Sequence, residues 1–229
     1  MSDRHSTADG EQVTAHEAIW QRIATNRVMP IVRLSDVLPL LDIVRALHEG
    51  GIRVIEFPLT TPGALDAVAA CRAHYPDVVV GVGTVHSVSD ARRSLDAGAQ
   101  FLASYAFNES MIDAAHQHGV PAFPAAMTPT EIVTARDAGA DAVKVFPARV
   151  LGSDYISLLR APLAHIPLLP SGGIAAAEVP NYLQAGAEAV GVSDLVEPGA
   201  VRKADWAAIT TRARALVEAT HPQVISVGR

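Results

Sequence analysis

Cysteine is almost missing: the 229 residues include one, Cys71. A lone thiol cannot close an intramolecular disulfide, which fits a reducing, cytoplasmic setting. Within the helical stretch ALDAVAACRAHY it reads as a small packed residue rather than a nucleophile. No run approaches the roughly 18 consecutive apolar residues of a membrane span. The opening segment MSDRHSTADGEQ lacks the apolar core of a secretory signal. There is no block of like charge, and the net charge is −6. Both disfavour a nucleic-acid or membrane-surface binder and leave room only for local anion binding. The nine histidines are scattered, His116 and His118 being the closest pair, so they read as surface residues and no metal is expected. GVGTV around Gly83 lacks the third glycine of a dinucleotide fingerprint, so no nucleotide cofactor is expected either. Its small residues are better read as clearing space at a strand end, with Thr84 as a hydrogen-bond donor.

What the chain does have is a recurring phrase: a helix ending in a small residue and Gly, then an apolar strand. It reads HEGGIRVIEF at Gly51, DAGAQFLAS at Gly98, QHGVPAFPA at Gly119, DAGADAVKVF at Gly139 and QAGAEAVGV at Gly186. The steps are 47, 21, 20 and 47 residues, the long ones leaving room for two units each; YPDVVVGVGTV and HIPLLPSGGI fill the gaps. A Gly after a helix is the expected left-handed cap. Short, branched, nearly continuous apolar runs suit parallel strands covered on both faces. Eight strands are expected, at about 28–34, 52–59, 78–85, 101–105, 121–126, 142–148, 167–173 and 189–196. An α/β (β/α)8 TIM barrel follows, at the short limit of that fold; an open doubly wound sheet is the alternative. AHEAIWQRIATN adds an N-terminal helix, and DWAAITTRARALVEA closes the chain as another. No linker or composition shift divides the chain, so residues 15–219 read as one domain. The ends, 1–14 and 220–229, have little to bury and are expected to be mobile.

In such a barrel, function sits at the carboxyl ends of the strands, so polar residues in apolar strands are the ones to weigh. The sharpest is Lys144 in AVKVFPA. Of the 18 basic residues only Lys144 and Lys203 are lysines, and Lys203 lies in the polar stretch VRKADW. Desolvation disfavours an ammonium, and a neutral amine attacks carbonyls where a guanidinium does not. A Schiff-base lysine is one reading and an internal ion pair the other. Glu56 in VIEFPL alternates with Ile55 and Phe57 and so can face the barrel interior. It can shuttle protons or simply pair with Lys144 or Arg33. In PSGGI, Gly172 and Gly173 let the backbone approach an anion, with a helix expected to open directly after them. Phosphate sites of such barrels commonly use the loops after strands 7 and 8, and Ser193 at the end of strand 8 can add a donor. Asp194 beside it would repel a dianion unless turned away.

Taken together, E-x-P-L after strand 2, G-x-G-T-V at strand 3, K-x-F-P-A at strand 6, GGI at strand 7 and a Ser-ending strand 8 resemble the class I 2-keto-3-deoxy-6-phosphogluconate aldolase family. That family includes 4-hydroxy-2-oxoglutarate and 2-keto-3-deoxy-6-phosphogalactonate aldolases. The resemblance runs from about residue 19 to 217, and EFPLTTP and SDL look closer to the phosphogalactonate branch. It implies a cofactor-free homotrimer acting on a small keto acid, with Lys144 forming the Schiff base and Glu56 moving protons through a bound water. It further implies that Thr84 and Ser171 line the pyruvate end, and that Gly172, Gly173 and Ser193 hold a phosphate. Several positions depart from the family pattern. Thr60 stands where the phosphogluconate enzymes have an arginine, while Arg33 matches the strand 1 arginine of the phosphogalactonate branch. Ser104-Tyr105 replaces a small residue plus Pro, and Pro124-Ala125 replaces Pro-Gly, so added bulk is expected to narrow the pocket. The competing readings are a phosphosugar isomerase or epimerase, which needs no buried lysine, and a non-catalytic keto-acid-binding barrel.

Overall fold

A computed structural model describes residues 14–36 and 38–220. The helices are α1 (Ala15–Asn26), α2 (Leu40–Glu49), α3 (Ala64–His74), α4 (Val88–Asp96), α5 (Glu109–Gln117), α6 (Pro129–Asp137), α7 (Gly152–Arg160), α8 (Val179–Gln184), α9 (Pro198–Arg202) and α10 (Trp206–Thr220). Between them run β1 (Val28–Pro30), β2 (Val54–Pro58), β3 (Val79–Gly83), β4 (Leu102–Ala103), β5 (Ala122–Phe123), β6 (Ala125–Ala126), β7 (Lys144–Val145) and β8 (Val190–Val192). All pairings are parallel: β2-β3-β4-β5 in order, β6 with β7, and β1 with β8. The ring closes through single bridges, Ile31 to Glu56 and Val143 to Leu168. Hydrogen bonds from Ser171 N to Val145 O and from Gly191 N to Pro170 O complete it. The result is the (β/α)8 barrel.

Two of the expected strands differ in detail. The fifth is split into β5 and β6 at Pro124, which has no N–H to give the ladder. The seventh is an extended segment around 168–171 with one bridge rather than a regular strand. The glycines of the recurring phrase behave as the phrase predicts: Gly51, Gly98, Gly119, Gly139 and Gly186 all have φ between 68 and 100°. The helix starts are equally local. Thr14 with Glu17, Ser87 with Asp90, and Thr128 with Glu131 form reciprocal capping boxes. The expected mobile ends lie outside the described residues except at their borders, where Thr14 caps α1 and Thr220 is buried as the last residue of α10.

Strand alternation divides the core in two. Outward side chains such as Ile55, Phe57, Val80, Val82, Val143 and Val145 pack under the helices, and Cys71 is fully buried in the same layer. Burial pushes its thiol up to about 11, so the single cysteine is packing material. Inward side chains form a second cluster: Met29, Val54, Val79, Phe101, Phe123, Ala142, Leu169 and Ala189, one level of the barrel interior. Helix α1 lies across this level, with Ile23 buried in it and Ile19 and Trp20 packed against it. That plug closes the amino-terminal end of the barrel and leaves the carboxyl end free for a site.

Candidate active site

One level above the apolar cluster, the inward positions change character. A cavity of about 520 Å³ opens there, lined by Ile31, Arg33, Thr84, Ser104, Tyr105, Lys144, Phe146, Pro147, Ser171, Gly172, Gly173 and Ser193. Its size suits a small-molecule ligand. Of the sequence-derived candidates, Arg33, Thr84, Lys144, Ser171, Gly172, Gly173 and Ser193 all line it, and Glu56 touches it through Lys144.

At the floor, Lys144 Nζ lies 3.3 and 3.2 Å from the two carboxylate oxygens of Glu56. Both side chains are nearly solvent-free, 6% and 1% exposed. Glycines make room for the pair and its neighbours. A Cβ at Gly83 would lie 2.0 Å from Glu56 Oε1, one at Gly81 would lie 2.4 Å from the Phe101 ring, and one at Gly191 would lie 2.5 Å from Ser171 Oγ. The small residues of GVG and VGV are thus clearances for large or polar inward neighbours. Ser171 is 0% exposed, and its hydroxyl is the one buried side-chain polar atom without a hydrogen-bond partner among the described residues. Leaving such a group unpaired costs about 1–3 kcal/mol. Its place beside Lys144 in the cavity wall points to a ligand as the missing partner.

The wall at the ends of β1 to β3 is cationic. Arg33 donates from Nη1 to Thr60 Oγ1 at 2.6 Å and from Nη2 to Thr84 Oγ1 at 3.3 Å. No described carboxylate is within ion-pair range of it, so its charge is free for an anion. The two positions weighed in the sequence as alternative arginine sites therefore meet, the arginine of one stave reaching the threonine of the next. Thr84 has φ 62°, an outlier for a β-branched residue and a form of strain typical of functional sites. Sequence reasoning missed the support beneath. Buried Thr61 donates to Val32 O at 2.9 Å and accepts from Leu34 N at 3.2 Å, pinning the backbone on either side of Arg33.

At the glycine loop the structure corrects the sequence reading. No helix opens directly after Gly173. A 3-10 turn spans Ala176–Glu178 and α8 begins at Val179. The first free amides of that end are already taken, Ala175 N by Glu178 and Ala176 N by Asp194 at 2.8 Å. Asp194 is thereby turned toward the helix start, which answers the concern that it would repel an anion. What remains for an anion is the loop itself. Gly172 and Gly173 have φ 97 and 81°, and a Cβ at Gly172 would lie 2.7 Å from the Phe146 ring. Neither amide donates to another described residue. Arg149, which sequence reasoning passed over, lies along Gly173 with Nη1 3.5 Å from its carbonyl. Its position five residues after Lys144, on the loop facing the glycines, was the available signal.

At the mouth, Tyr105 is 45% exposed. Its hydroxyl meets His86 Nδ1 at 3.0 Å and the two rings stack. It adds the expected bulk to the pocket rim. Ala125 does not; it is buried outside the lining, and Ser104 Oγ accepts its N–H at 3.2 Å.

The comparisons with known proteins agree with this geometry. The family of KDPG and KHG aldolases matches residues 19–212. A 2-dehydro-3-deoxy-phosphogluconate aldolase of Treponema pallidum (strain Nichols) is 37% identical over 166 residues, covering 72% of this chain and 79% of the relative. A probable 2-dehydro-3-deoxy-6-phosphogalactonate aldolase of Rhizobium meliloti (strain 1021) is 32% identical over 160 residues, covering 69% of this chain and 76% of the relative. Among solved structures, a KDPG aldolase from Legionella pneumophila, with pyruvate captured as a covalent carbinolamine intermediate, superposes with a TM-score of 0.79 at 26% identity. It covers 86% of this chain and 97% of that one. With the family matched over most of its length, the chain belongs to the KDPG and KHG aldolases.

Proposed function

We propose that this protein is a metal-independent Schiff-base aldolase that cleaves a 2-keto-3-deoxy-6-phospho sugar acid, of the phosphogluconate or phosphogalactonate type, to pyruvate and glyceraldehyde 3-phosphate. 4-Hydroxy-2-oxoglutarate is a second, shorter substrate. The observation that carries the reading is the floor of the cavity. There a buried lysine amine contacts a buried carboxylate, beside a serine hydroxyl with no protein partner.

Lys144 Nζ, once its extra proton has passed to Glu56, attacks the keto carbon; loss of water gives an iminium, which withdraws electrons from the adjacent bond. A base removes the proton of the C4 hydroxyl, the C3–C4 bond breaks, and its electron pair forms the enamine while the aldehyde leaves. Protonation at C3 and hydrolysis then release pyruvate and regenerate the amine. Glu56, within 3.3 Å of Nζ, moves these protons through a bound water; such acid–base help is worth roughly 10²–10⁴ in rate. Arg33 grips the substrate carboxylate with two parallel N–H bonds, helped by Thr84. Ser171 completes its hydrogen bonding on the pyruvyl unit. Gly172, Gly173 and Ser193 receive the phosphate, with Arg149 as the nearest cation. Arg33 in place of an arginine at position 60 favours the phosphogalactonate type. A cytoplasmic homotrimer belongs to the same reading. No helix among the described residues is long and apolar enough to cross a membrane.

Incubation with pyruvate and borohydride tests the chemistry. One pyruvyl group on the Lys144 peptide is expected. Labelling at Lys203, or none, would sink the Schiff-base mechanism and leave an isomerase or a binding barrel.

A further inference from the structure

The closed end of the barrel carries a second cluster of chemistry-bearing side chains, none of which lines the cavity. Asp141 stands just before β7, at the amino-terminal end of that stave. His116 is in the last turn of α5 and His16 in the first turn of α1. Along the sequence the histidines are scattered, His116 lying nearest to His118; both His16 and His116 are partly exposed, and the fold brings them to one carboxylate. His16 Nε2 contacts Asp141 Oδ1, and His116 Nε2 lies 3.1 Å from Oδ2. Spacing hides this grouping: His16 and Asp141 are 125 residues apart, and only the docking of α1 across the barrel joins them.

We infer that His16, His116 and Asp141 form a binding site for a divalent metal of the zinc class, which ties α1 to the barrel. Three features carry this. The donor set is two imidazole nitrogens and one carboxylate, a combination suited to zinc-type ions and not to hard cations that prefer all-oxygen cages. The three ligand atoms already lie within 4.8 Å of one another. Around a tetrahedral ion with bonds of about 2.0–2.1 Å they would sit about 3.3 Å apart, a change within the reach of side-chain rotation. The cluster is also partly built: Asp141 Oδ2 accepts from Ala122 N at 2.9 Å, fixing the carboxylate from behind. The imidazole rings are inclined at 59° with centroids 5.1 Å apart, and each turns its Nε2 to an oxygen of the same carboxylate. The side chains are 24%, 37% and 16% exposed, which leaves an entry path and an open position for water. On binding, the ion replaces any proton on each Nε2 and the displaced protons pass to solvent. Nothing is oxidised or reduced.

The site is at the end of the barrel opposite the cavity, so the ion is structural: it bridges α1, α5 and the start of β7. The full chain, dialysed against EDTA and titrated with zinc chloride in a calorimeter, should bind one ion with a micromolar or tighter Kd. At a hundredfold excess over that Kd its Tm should rise by about 5 °C or more. His16→Ala and His116→Ala should each weaken binding at least about tenfold and lose the Tm rise. Both residues are partly exposed, and the circular dichroism of the metal-free variants checks their fold; His116→Ala, the more exposed change, serves if His16→Ala disturbs α1. Absence of zinc binding, or wild-type affinity in either folded variant, overturns the proposal. Equal binding of magnesium would overturn the zinc-class assignment.

Discussion

The two ends of this barrel are built on the same staves by the same alternation, and they differ in what the inward positions carry. At the closed end these are Phe, Leu, Val, Met and Ala, interlocked under α1. One level up, the same strands present Glu56, Gly81, Lys144, Ser171 and Gly191, and a cavity replaces the packed level. The closed end stabilises by apolar burial. The open end holds two buried charges and an unpartnered hydroxyl, groups that burial penalises unless they are paired. The comparison predicts that substitutions at the open end remove activity and spare the fold, while substitutions at the closed end do the reverse.

The strongest break is Lys144→Arg. Arginine keeps the positive charge facing Glu56 and has the cavity to extend into, but it forms no imine. Aldol cleavage should fall by about 10⁴-fold or more, and borohydride trapping should vanish, with a native circular dichroism spectrum. Retained trapping would place the nucleophile elsewhere.

Gly83→Ala sharpens the comparison from one atom away. The new methyl carbon would sit 2.0 Å from Glu56 Oε1 and 2.5 Å from its carboxyl carbon. The carboxylate must leave its place beside Lys144, and kcat should fall about 10²–10³-fold. Overpacking should cost about 1–3 kcal/mol of stability. An unchanged kcat would show that Glu56 does not move the protons.

Ile23→Ala tests the closed end. Ile23 is 1% exposed and belongs to α1, yet sits in the barrel interior. Urea unfolding should show a loss of about 2–5 kcal/mol, while kcat of the folded enzyme stays within about twofold. A large drop in kcat at full folding would mean that the plug and the cavity are coupled.

How much of this was legible depends on the range of the interaction involved. The barrel came from a local signal repeated along the chain, the glycine caps and apolar runs, and the left-handed φ values at Gly51 through Gly186 bear it out. Lys144 and Glu56 stood out because each is a charge in an apolar strand, and alternation alone assigns Glu56 to the face opposite Ile55 and Phe57. The contacts that escaped are those made by folding. Thr61 reads as an ordinary loop residue until its hydroxyl is found between Val32 and Leu34. The His16 cluster spans most of the chain. The glycine loop misled in another way. Two glycines before AAAEVP resemble a helix start, but Ile174 and Ala175 intervene, and Glu178 and Asp194 take the free amides. Where hydrogen bonds with distant partners decide the local geometry, spacing along the chain is silent.

That correction leads to the smallest expected effect. With the helix start occupied, the phosphate would be held by the loop amides and Ser193 alone, unless a side-chain cation is near. Arg149 is that cation: it lies over Gly173, and a Cβ there would be 3.1 Å from Arg149 Cδ. Because the arginine is exposed, solvent screens its charge, and about 1 kcal/mol, or ~fivefold, is the expected scale. Arg149→Met keeps much of the aliphatic stem on Gly173 and removes the charge. KM for the phosphorylated sugar acid should rise about fivefold with little change in kcat, and the rise should shrink as salt is added. For 4-hydroxy-2-oxoglutarate, which has no phosphate, both constants should be unchanged. If the two substrates lose equally, Arg149 acts on the shape of the loop rather than on the anion. If neither loses, Arg149 does not reach the phosphate, which the loop amides of Gly172 and Gly173 and Ser193 then hold alone.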